Sequence, residues 1–169
     1  SGEGTASSSG SITIRSANSG TGGMSGKLVF SSGTSKTGNS GTVLVGSGKA
    51  VSGDSGIVAV GSGITDTGSS GELTMGTGGV TTGDSGPVYM TSGAATTGSS
   101  GLIRVQVGTS SSQGSSDSAG LVDMFAGVGD TNTGGAVSIA SGEGTASSSG
   151  SITIHSANSG TGGTSGMLV

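Results

Sequence analysis

Gly41, Gly56, Gly71, Gly86 and Gly101 stand fifteen residues apart, and each opens a stretch of the form Gly-x-aliphatic-x-apolar-x-x-Gly. A longer repeat is laid over this short one. Residues 1–29 recur at 141–169 with three changes, Arg15 to His155, Met24 to Thr164 and Lys27 to Met167. A unit of fifteen residues is too small to bury its own apolar face and must borrow cover from its neighbours, so a short fixed period predicts a solenoid. A chain that begins to repeat itself before it ends reads as a window of a longer tandem array. The pattern is one that builds shape, and it points away from an enzyme.

Numbering each unit from its opening glycine exposes the alternation. Column three is aliphatic (Val43, Val58, Leu73, Val88, Ile103) and column five apolar (Val45, Val60, Met75, Met90, Val105), while columns two and four are mixed. Period-two alternation is the signature of a strand with one face covered. These ten residues are therefore expected to form an internal ladder. Pro87 falls at the first strand position, where a missing N–H is tolerated.

Column eight is usually glycine, as at Gly33, Gly48 and Gly63, and suggests a corner with positive φ. A second corner is expected at Gly-x-Ser-Gly, as in Gly53 to Gly56. Column ten is small, and column twelve is Thr or Ser. The expected fold is all-β, one continuous β-solenoid over residues 1–169. It would have a thin, two-sided cross-section or a triangular one, and nine coils per 140-residue superrepeat. At about 4.8 Å per coil the superrepeat would advance roughly 43 Å.

Composition offers a competing reading. With 40 Gly in 169 residues and 2% aromatics, a disordered linker is the bland expectation. Against it stand a formal charge of only −4, a mean hydropathy of +0.08 and a register that disorder has no reason to keep. Two large aliphatics per fifteen ordered residues cannot offset the backbone entropy of a glycine-rich coil, so stability must come from neighbouring coils or chains.

Two irregularities interrupt the rhythm. Sixteen-residue coils open at Gly10 and Gly150, and a nineteen-residue coil opens at Gly101 with a polar bulge around 110–119. The bulge reads either as a lateral contact point or as a tolerated surface insertion.

No chemistry-bearing constellation emerges. His155, the one histidine, takes the place of Arg15 and has no partner of its kind. Gly46 to Ala50 lacks the first Gly and the final Ser or Thr of a phosphate loop, and no G-x-S-x-G elbow occurs. Asp54 and Asp84 would lie two coils apart, roughly 9–10 Å, too far to share a calcium ion. No catalytic, cofactor or metal residue is therefore expected. Five Lys plus Arg, spread singly, make nucleic acid an unexpected partner. No eighteen-residue apolar run is present to span a membrane. No Asn-x-Ser/Thr sequon occurs, so any glycan would be O-linked.

The run Thr-Gly-Ser-Ser-Gly-x-Leu/Ile-x-Met/Val, at Thr67 to Met75 and Thr97 to Val105, resembles the long Gly/Ser/Thr-rich tandem-repeat proteins of diatoms and other stramenopile algae. More loosely, the chain looks like phage and virus fibre shafts. The resemblance implies a secreted surface or fibre protein without enzymatic activity and supplies no site residues.

The functional expectation is an extracellular or cell-surface filament that associates with itself, as a homo-oligomer or a bundle. Leu44, Ile57, Tyr89, Leu102, Leu121 and Phe125, outside the ladder columns, are its expected lateral contacts. The alternative is an ice-binding or surface-adhesive solenoid, suggested by the in-register Thr67, Thr82 and Thr97. The alternation rule places those threonines inward.

Overall fold

A computed structural model describes residues 8–111 and 119–169. Among these there is neither a helix nor a β-strand. The all-β solenoid expected from the alternation is therefore corrected, and its internal ladder and 43 Å axial repeat fall with it. Stacked coils need hydrogen bonds between positions one coil apart. The backbone–backbone bonds among the described residues instead close over three residues (Gly23 N–H to Gly20 O, 3.4 Å; Gly163 N–H to Gly160 O, 3.3 Å) or over eight (Gly135 N–H to Gly127 O and Gly150 N–H to Gly142 O, both 2.9 Å). Alternation demands that one face be covered, but it does not say by what. With glycine at 40 of 169 positions, two aliphatics per coil do not hold a ladder within one chain.

The fifteen-residue period survives as a period of bends. They lie at 36–38, 51–53, 66–68 and 81–83 in one compact unit, Ser1–Gly86. In the second unit, Pro87–Val169, they lie at 96–98, 130–132 and 145–147. All occupy columns eleven to thirteen. The sixteen-residue coils carry a tight turn at 21–22 and again at 161–162. Pro87 opens the second unit and starts no strand.

Positive φ falls on column thirteen, at Gly53 (99°), Gly68 (102°), Gly83 (102°) and Gly98 (106°). The column-eight glycines expected to make a second such corner are not among the positive-φ residues. At these four bends the chain turns through a left-handed glycine, where an L side chain would be strained, whereas the bends at 36–38, 130–132 and 145–147 contain no positive-φ residue. Column ten contributes in two coils. Ser35 Oγ accepts from the Gly38 N–H at 3.0 Å, and Thr65 Oγ1 donates to Thr67 O at 2.8 Å.

Each bend closes a loop. The α-carbon hydrogen of every opening glycine faces the residue at column seven of the coil before. A β-carbon built at Gly41 would stand 3.4 Å from Ser32 Cβ, at Gly56 3.6 Å from Ser47 Cβ, and at Gly101 3.5 Å from Ser92 Cβ. The irregular coils obey the same rule. Gly26 meets Ser16 at 3.2 Å, and Gly166 meets Ser156 at 3.5 Å. Gly120, after the nineteen-residue coil, meets Val107 Cγ1 at 2.7 Å. The extra residues of that coil thus lie wholly between its column seven and the next opening glycine. The bulge expected around 110–119 lies mostly outside the described residues, in 112–118.

Candidate functional site

No enclosed core exists among the described residues, since no hydrophobic side chain is buried. The exposure is patterned all the same. Of the two apolar columns, column three is the more covered: Val43, Val58, Leu73, Val88 and Ile103 lie between 49% and 58% exposed. Column five is more open, with Val45, Val60, Met75, Met90 and Val105 between 68% and 80%. The residues expected as lateral contacts overlap this range and extend above it, from 77% at Leu102 and Leu121 through Tyr89, Phe125 and Leu44 to 93% at Ile57. The alternation read from the sequence is thus present as graded exposure, and the ten residues expected inside are on the surface.

Charge is distributed by column. Lys27 and Glu72 occupy column two, Arg104 and Asp123 column four, and no charged residue occupies column three or five. Glu72 accepts a hydrogen bond of 2.5 Å from Thr74 Oγ1, its neighbour on the same polar side. Columns three and five are therefore an apolar pattern without electrostatic interruption. Columns two and four mix apolar and charged groups.

The remaining candidates do not converge. Thr67, Thr82 and Thr97, expected inward, sit exposed at the centres of their bends. Asp54 and Asp84 follow two of the left-handed glycines and are exposed, as is His155. Among the described residues no group of three His, Cys, Asp or Glu side chains could hold a metal ion, and no helix is long and apolar enough to cross a membrane.

Column seven is the feature that sequence reasoning passed over. It reads Ser16, Ser32, Ser47, Ser62, Thr77, Ser92, Val107, Ala126, Ser141 and Ser156, and every one faces the next opening glycine. Its signal was available, because the column holds only small or β-branched residues. Ser16, Ser32 and Ala126 are among the few half-buried residues of the described part.

No protein-family model matches the chain, and no curated protein or solved structure matches it.

Proposed function

We propose that this chain is a structural protein that forms extracellular filaments by association between copies. One observation carries the reading. The chain leaves 16423 Å² accessible to solvent. A folded protein of its 15.4 kDa mass exposes about 7200 Å², and a fully unfolded one about 22000 Å². Only roughly a quarter of the unfolded surface is covered, against about two thirds for a self-sufficient domain of this size. The uncovered apolar groups are regularly spaced and lie in a chain of low charge. That combination favours burial against other chains over solubility as a single molecule.

The tandem superrepeat supports a filament over a closed oligomer, because a repeated surface offers repeated attachment points. The resemblance to algal repeat proteins supports the extracellular setting. Negative-stain electron microscopy of the purified chain, concentrated from denaturant, tests the reading. Elongated or bundled particles are expected. Dispersed single molecules at every concentration would refute it.

A further inference from the structure

We infer that columns three and five are the surface through which copies of this chain bind one another, with columns two and four left facing water. The inference deepens the filament reading and rests on it. The sequence pattern alone assigned the opposite roles, with columns three and five as an internal ladder and Leu44, Ile57 and Tyr89 as lateral contacts. The exposure of columns three and five removes the internal-ladder part of that assignment. The ladder side chains are on the surface and available to a partner.

Three observations select this face. First, Leu73, Met75, Val88, Met90, Val122 and Met124 belong to columns without a single charge, whereas columns two and four carry Lys27, Glu72, Arg104 and Asp123. Burying an unpaired charge costs far more than burying an aliphatic group returns, so association covers the uncharged columns. Secondly, column three is already about half covered by its own chain, at 49% for Ile103 and Val122, so a partner needs to supply only the remaining half of its cover. Thirdly, the uncovered surface exceeds that of a self-sufficient fold by about 9000 Å², more than the roughly 2000–5000 Å² of a permanent interface.

The occupant is a second copy of this chain. Its apolar pairs recur once per coil, every fifteen residues in the regular coils, so a copy in register presents an apolar pair at each of these positions. An anionic lipid surface would need many basic residues beside the face, and the chain has five in 169, of which only Arg15, Lys27 and Arg104 adjoin these columns in sequence.

The methionines provide a built-in probe. Met75, Met90 and Met124 lie in column five, at 74%, 68% and 70% exposure, while Met24 lies outside the four columns at 97%. Hydrogen peroxide transfers one oxygen to the thioether sulfur, its O–O bond breaks and water leaves. The sulfur is oxidised by two electrons, at a rate that follows exposure.

The full chain is treated with peroxide dispersed and assembled, and sulfoxide at each methionine is followed by peptide mass spectrometry. Assembly is expected to slow Met75, Met90 and Met124 by about tenfold or more and to leave Met24 within about twofold. Assembly with unprotected column-five methionines, or with Met24 protected equally, overturns the inference and leaves the filament reading standing. Failure to assemble overturns both. Protection by anionic phosphatidylglycerol vesicles at concentrations where the chain does not self-assemble also overturns it.

A paired substitution gives an independent reading. Val58→Asp is expected to raise the concentration needed for assembly by about tenfold or more, whereas Ile57→Asp, one position away, changes it by less than about threefold. The reverse order contradicts the assignment.

Discussion

Replacing Gly68 by Ala tests where the repeat keeps its turn. Gly68 has φ +102° and lies at the end of the 66–68 bend, and a side chain there would meet nothing within 4 Å. The cost is thus purely conformational. A non-glycine residue held in such a region loses about 1–3 kcal/mol, which lowers the ratio of closed to open bend by roughly 5- to 150-fold. Gly63, at column eight of the same coil, is the internal control. It also meets nothing within 4 Å, and its φ is not positive. Ala at Gly63 is expected to favour the closed loop by about 0.4–1 kcal/mol, because it narrows the open chain more than it constrains the closed one. The assay is the nuclear Overhauser effect between Ser62 β-protons and Gly71 α-protons, the pair that closes this coil, with a β-carbon at Gly71 placed 3.7 Å from Ser62 Cβ. The signal should weaken in Gly68→Ala and hold or strengthen in Gly63→Ala. Equal effects, or loss only in Gly63→Ala, would refute the single-turn coil.

Gly129→Ala should damage the 130–132 bend by sterics, since its β-carbon would stand 2.6 Å from Asn132 O and 2.8 Å from Thr133 O. The expected outcome is loss of the Gly135 N–H to Gly127 O hydrogen bond, read as faster amide exchange at Gly135. Assembly should respond weakly to salt, because only 14 of 169 residues are formally charged at neutral pH. Raising NaCl from about 0.1 to about 1 M shortens the Debye length from ~10 to ~3 Å and should move the assembly midpoint, read by light scattering, by less than roughly threefold.

The period, the column-thirteen turn and the apolar columns were legible in the sequence. Gly53 and its equivalents could be read as corners because glycine stands beside turn-forming Asp and Ser. The second corner at Gly48 and Gly63 was read by the same logic and does not have positive φ. A glycine marks permission for a left-handed turn, not its use. The strand reading of Val43, Val45 and their equivalents went astray for a related reason. Alternation reports that one face differs from the other, and the structure keeps that difference as graded exposure without a sheet. What the pattern leaves open is whether the covering surface belongs to the same chain.

Small residues at column seven carried information of another kind. A serine at Ser47 or Ser62 has many uses, and only its approach to Gly56 or Gly71 identifies it as the closing contact of a loop. The same rule explains how coils of fifteen, sixteen and nineteen residues coexist. Length varies between column seven and the next glycine, and the closing pair is retained.

The central claim is that the apolar columns are satisfied between chains. Sedimentation velocity of the intact chain, across about a hundredfold range of concentration, tests it most directly. The account predicts a mass that rises with concentration, from the 15.4 kDa of a single chain into large, heterogeneous species. A single 15.4 kDa boundary throughout the range would contradict it.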